Sequence, residues 1–210
     1  MTAPGEVRVP VTRLVRWVQN FGQRHDGATL AVADGALSGV AGDGSTFAAR
    51  LPFDTSYDGA AEVGAFVAEA TPPGEWGVLL VRKGGFAVAR LQGAALVEHK
   101  IGQRHVQGRT KAGGQSQQRF ARRRDNQARQ ANEAAAGHAA RILGPGALPV
   151  VTGGDHTAVD EVLADPRLRR IVVVGPWLAV PDPRRAVLDA AIADACSIRV
   201  EVRNAAGTPG

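Results

Sequence analysis

The sequence predicts an α/β fold: a mixed sheet in which a β-meander is followed by βαβα units. Three observations carry this reading. Trp76–Arg82, Phe86–Leu91 and Ala94–Ile101 are consecutive strand-like runs, and Gly84-Gly85 between the first two is a hairpin signal. From Leu148 onward, apolar runs of strand length alternate with helical patterns, which implies a partly parallel sheet. The 210 residues are 44% apolar, enough for a sizeable core and too apolar for disorder over the bulk of the chain.

Taken in order, Val11–Arg24 reads as an amphipathic helix, because Val11, Leu14, Val15, Val18 and Phe21 recur at helical spacing. Thr29–Ala33 and Thr46–Leu51 read as short strands separated by Gly-rich turns. Tyr57–Ala70 reads as a second helix with Ala61, Phe66 and Val67 as core positions. Thr71-Pro72-Pro73-Gly74 then breaks the pattern and marks a boundary. Residues 1–72 are therefore expected to form an αββα extension packed on the core. Residues 75–203 are expected to form the α/β domain, and residues 204–210 a flexible tail.

Beyond the meander, Gly102–Gln118 has no apolar periodicity. A long loop inside a compact domain is uncommon and is often functional. Phe120–Leu143 is a long helical pattern whose thin apolar side holds Phe120, Ala128, Ala131, Ala135, Ile142 and Leu143; Gly144-Pro145-Gly146 ends it. Strands are expected at Leu148–Val151, Ile171–Val174 and Ile198–Val202. Helices are expected at Thr157–Leu163 and at Pro183–Ala195, with Pro183 in the first turn. There is no internal repeat.

The formal net charge is +5 and the pI about 10.3, a balance that suits nucleic acid or another anionic surface. Its distribution says more than its size. Lys100, Arg104, Arg109, Lys111, Arg119, Arg122, Arg123, Arg124 and Arg129 share their stretch with a single acid, Asp125, so that segment carries +8 and the rest of the chain −3. Cys196 is the only cysteine, which excludes an internal disulfide or a Cys-based metal site and leaves a small buried apolar side chain as its role. No stretch has the length of a membrane span or the apolar core of a signal peptide. A monomer in a reducing cytoplasm, away from membranes, is expected.

Chemistry concentrates in one segment. Gly113-Gly114 frees the backbone for close approach to a substrate. Ser116 is a candidate N-cap for the helix that follows, and clustered arginine favours phosphate. Gln115 is uncharged near neutral pH, hence a poor general base, yet it donates and accepts hydrogen bonds. Gln115 at such a tip can orient a water or stabilise a developing oxyanion, an effect worth about 3–4 kcal/mol where oxyanion donors have been removed from enzymes. An activated ester such as an aminoacyl-RNA bond needs positioning more than a strong base.

Gly113-Gly114-Gln115-Ser116, followed by Arg119-Phe120-Ala121-Arg122 and Arg124, resembles the catalytic segment of eukaryotic and archaeal class-1 peptide release factors. That family has Gly-Gly-Gln, Ser, two variable residues, Arg-Phe-Ala-Arg, one variable residue and Arg. The tripeptide alone is a weak match; with the spaced Arg-Phe-Ala-Arg-x-Arg it is specific. The resemblance implies that residues 75–203 share the RNase H-like middle, catalytic domain of those factors.

The departures narrow the branch. Only the residues before the Pro-Pro break precede the α/β pattern, with no Asn-Ile-Lys-Ser decoding motif in the sequence, and no third domain for a GTPase partner is expected. The chain thus resembles the stand-alone release-factor-like domains of the Vms/ANKZF type and their bacterial relatives, which act on peptidyl-tRNA stranded on a split large subunit. Small rescue hydrolases with the same tripeptide depend on a basic C-terminal tail, whereas Ala205–Gly210 has no basic residue.

The resemblance implies a peptidyl-tRNA hydrolase in ribosome rescue. Gln115 would help water attack the ester at the tRNA 3′ end, and Gly113 and Gly114 would permit the tight loop. Arg119, Arg122 and Arg124 would grip ribosomal or tRNA phosphates, joined by Arg109, Lys111 and Arg123. Phe120 would pack its helix on the sheet. The implied partners are the large ribosomal subunit, through its RNA near the peptidyl-transferase centre, and the 3′ end of peptidyl-tRNA; no metal or cofactor is expected. The rival reading is a non-catalytic ribosome- or RNA-binding factor that occupies the peptidyl-transferase centre and has no use for Gln115. The role of residues 1–72 stays open between shaping an RNA contact and covering one face of the sheet.

Other motifs weigh less. Gly153-Gly154-Asp155-His156-Thr157 between strand and helix could hold phosphate, but reads better as a turn with an Asp or Thr cap, Thr157 and Asp160 fitting a capping box. His25, His99, His105, His138 and His156 do not pair at metal-ligand spacing, although His105 lies in the cationic loop. No serine sits in a Gly-x-Ser-x-Gly elbow, which argues against a serine hydrolase.

Overall fold

The computed structural model describes residues 5–83, 85–103 and 115–205, with residues 115–128 described by their backbone alone. The chain is α/β, and its described residues form two five-stranded sheets, one antiparallel and one mixed. Two compact units divide it: Met1–Pro72 with Ala193–Gly210, and Pro73–Ile192.

The first unit holds β1 (Gly5–Val9), α1 (Leu14–Arg24), β2 (Ala28–Ala33), β3 (Ala36–Ala41), β4 (Thr46–Arg50) and α2 (Val63–Glu69). Its sheet, ordered β1-β10-β4-β3-β2, takes in the last strand, β10 (Ile198–Arg203). Leu14, Val18 and Phe21 of α1 and Phe66 of α2 bury against Leu37, Phe47, Ile198 and Val200. Val15, expected on the buried stripe, is 43% exposed.

Three expectations for this unit are corrected. The extension has four strands of its own rather than two, since β1 and β3 are additional. The second helix is only Val63–Glu69; ahead of it the Tyr57 hydroxyl donates to Ala60 O at 2.6 Å and holds a loop. Finally, Ile198–Arg203 pairs with β1 and β4 instead of closing the α/β sheet. Its strict alternation of Ile198, Val200 and Val202 with Arg199, Glu201 and Arg203 is the signature of a strand in an antiparallel sheet with one open face, not of a doubly covered parallel strand.

The second unit contains β5 (Glu75–Arg82), β6 (Gly85–Gln92), β7 (Ala95–Gln103), α3 (Gln115–Leu143), β8 (Pro149–Gly154), α4 (His156–Leu163) and β9 (Val172–Leu178), and α5 (Arg185–Ala195) begins in it. Strand order is β7-β6-β5-β8-β9. β5, β6 and β7 form the antiparallel meander, while β5, β8 and β9 run parallel. Trp76 to Val81 is buried without a break, as a central strand requires. Leu79, Val81, Phe86 and Val88 meet Ala135, Ala139 and Ile142 of α3 and Val159 and Val162 of α4. Cys196 is half-buried, and burial pushes its thiol up from the ordinary value.

Candidate functional site

The topology brings four strand ends to one side of the second unit's sheet. β7 and β5 both run antiparallel to β6, so β7 points the same way as β5, β8 and β9. Register fixes the line: Gln103 faces Gly85, Gly85 faces Arg82, Val81 faces Gly154 and Gly153 faces Leu178. In open α/β sheets the carboxyl ends of parallel strands are the habitual place for ligands.

Two chain segments leave or reach this edge. The cationic segment departs after Gln103 and re-enters the described residues as α3 at Gln115. Gly154 leads into α4, where the Asp155 carboxylate accepts from Ala158 N at 3.2 Å and the Asp155 amide donates to Val81 O at 2.8 Å. Asp155 is thus the helix cap, and because α4 already begins at His156, Thr157 cannot open a capping box. The His156 ring stacks on Trp177 at 3.6 Å between centroids and 10° between planes. Arg82 donates to Val180 O at 3.1 Å, with the Asp182 carboxylate 3.9 Å away.

The described part of α3 is 29 residues long, roughly 43 Å at the usual helical rise. Its C-terminal part is the anchor. Ala135, Ala136, Ala139, Ile142 and Leu143 are buried. His138 stacks on Phe86 with centroids 5.5 Å apart, Asn132 donates to Glu161 at 2.6 Å, and Arg141 pairs with Glu98. Arg129 is exposed.

Of the residues singled out by sequence, Arg104, His105, Arg109, Lys111, Gly113 and Gly114 lie outside the described residues. Gln115 is the first residue of α3, and Arg119, Arg122, Arg123 and Arg124 follow on it; their side chains, and that of Phe120, also lie outside the described ones. Helical geometry makes positions 115, 119, 122 and 123 neighbours on one side of the helix.

Of the loop expected over 102–118, only residues 102, 103 and 115–118 are described, and these are not loop. Gly102 and Gln103 extend β7, and Gln115–Gln118 form the first turn of α3. Ser116 is accordingly inside the helix and not its cap. The reason is propensity: Gln is a good helix former, and Gln115-Ser116-Gln117-Gln118 contains no breaker, although its polarity hides it from a search for apolar periodicity. Sequence reasoning also missed the pairing of His156 with Trp177, residues from α4 and β9 that no local signal links.

Among the described residues, no helix is long and apolar enough to cross a membrane. A family model described as Actinobacteria/chloroflexi VLRF1 release factor matches residues 74–201, more than half of the chain and the whole of the cationic segment. No curated protein matches the chain.

Proposed function

Because the chain belongs to the Actinobacteria/chloroflexi VLRF1 release-factor family, we propose that it is a peptidyl-tRNA hydrolase that frees nascent peptides from tRNA on stalled large ribosomal subunits. The observation that carries this reading is the tripeptide Gly113-Gly114-Gln115 inside the segment of charge +8, with Gln115 the first described residue of α3.

The chemistry follows from what those residues can and cannot do. Water adds to the ester carbonyl, the bond from carbonyl carbon to the ribose oxygen breaks, and the ribose oxygen leaves with a proton. Gln115 supplies no base; it orients the water and gives hydrogen bonds to the oxyanion as it forms. Gly113 and Gly114 let the backbone reach the ester where side chains would collide. Arg109, Lys111, Arg119, Arg122, Arg123 and Arg124 neutralise phosphates of ribosomal RNA near the peptidyl-transferase centre and of the tRNA 3′ end, so that binding energy positions the loop.

The test uses stalled large subunits carrying labelled peptidyl-tRNA. Wild-type protein is expected to liberate free tRNA, and Gln115→Ala to bind equally well and liberate none. Normal release by Gln115→Ala would refute the mechanism. Binding without release by either protein would leave a factor that occupies the peptidyl-transferase centre without catalysis.

A further inference from the structure

We propose that Arg82, His156 and Trp177 form a stacking site for an unpaired RNA nucleotide, on the same sheet edge from which the cationic segment departs. Trp177 is partly buried against the core of its unit, and His156 lies flat on it, with centroids 3.6 Å apart and planes within 10°. His156 is nevertheless exposed. With one face on Trp177, what it offers to solvent is its other face and edge, a platform already held in place. Nucleobases stack on such faces regardless of sequence.

The cationic part lies alongside. The Arg82 side chain runs over Gly154, its Cδ 3.2 Å from where a Cβ on that residue would stand. Its guanidinium is held by Val180 O, and its ion pair with Asp182 is long at 3.9 Å and exposed on both sides, hence cheap to exchange for a phosphate. Lys83 is exposed next to it. The other nearby acid, Asp155, is committed to capping α4. Gly153 and Gly154, which lead into α4, have no room for a side chain: a Cβ on Gly153 would strike Leu178 O, and one on Gly154 would strike Val81 O. These two glycines put no side chain of their own between Arg82 and His156. A duplex cannot use the site, because its base faces are covered by their neighbours. Assigning the nucleotide to the RNA end whose ester is cut rests on the hydrolase reading; the binding itself does not.

The full-length protein is titrated against a short fluorescein-labelled single-stranded oligoribonucleotide and against the matching duplex, following anisotropy. His156→Ala is expected to weaken single-strand binding about tenfold. Arg82→Gln is expected to weaken it several-fold with a shallower salt dependence, while Trp177→Phe, which keeps a ring beneath His156, retains most of it. Affinity unchanged in both His156→Ala and Arg82→Gln overturns the proposal, and so does equal binding of duplex. Peptide release by the same proteins is read separately. Dependence on His156 with no release by wild type would sink the hydrolase reading and keep the stacking site; release without that dependence would do the reverse.

Discussion

Leu143, the last residue of α3, fills the space above Gly77 near the start of β5: a Cβ on Gly77 would stand 2.5 Å from Leu143 Cδ2, 3.1 Å from Ala89 O and 3.3 Å from Val150 Cγ2. The helix that begins with Gln115 is seated at its far end by this contact. Leu143 is 3% exposed and cannot swing away. Gly77→Ala is therefore expected to cost about 1–3 kcal/mol by overpacking. Leu143→Ala alone is expected to cost about 2–5 kcal/mol. Thermal or urea denaturation of the double variant should show less than the sum, because the added methyl occupies part of the space that the leucine vacates. Strict additivity would mean that the two residues do not share that space.

The cap of α4 is a second measurable element. Asp155 Oδ1 accepts from Ala158 N at 3.2 Å, and Asp155→Ala is expected to lower stability by about 1 kcal/mol, with Asp155→Asn close to wild type. The cap also sets the first turn on which His156 sits. Chemical denaturation checks the first effect. An alanine variant as stable as the parent would show that the carboxylate does not hold the helix end.

Asp165 should contribute to acid sensitivity. Hydrogen bonds from the Arg167 side chain and then its backbone amide hold the carboxyl at about 2, below the usual 3.8. A carboxyl depressed in the folded state contributes stability that is present above 3.8 and lost as pH falls through about 2. The melting temperature of wild type should thus exceed that of Asp165→Asn at neutral pH, and the gap should close between pH 3.8 and about 2. A gap constant across that range would contradict the assignment.

How much of this was legible in the sequence depends on whether the signal is local. The meander was, because Trp76 to Val81 is a continuous apolar run with a glycine turn after it. β3 was not. Its Gly39 reads as a turn residue, yet it serves as the floor for the Phe47 ring from the neighbouring strand, which a Cβ there would strike. β1 was missed because it is short and mostly charged or small, and its partner β10 lies at the other end of the chain. The release-factor motif was legible because its residues are contiguous. The Trp177–His156 platform was invisible because only the parallel pairing of β8 with β9 brings its two halves together.

The arginines of α3 offer the last prediction. Arg119, Arg122 and Arg124 lie on the N-terminal turns of α3, and they stand within the +8 segment. If each neutralises a phosphate, replacing it by alanine removes a released counterion as well as a contact. The slope of log binding constant against log salt should then become shallower by about 0.7–0.9 per lost contact. Affinity for large subunits should fall most at low salt, where screening is weakest. Peptide release at saturating protein should persist, because Gln115 is untouched. Binding and slope that ignore all three substitutions would remove the arginines from the interface and leave their charge a solvated helix face. Loss of release at saturation with binding intact would instead assign them to holding the loop at the ester.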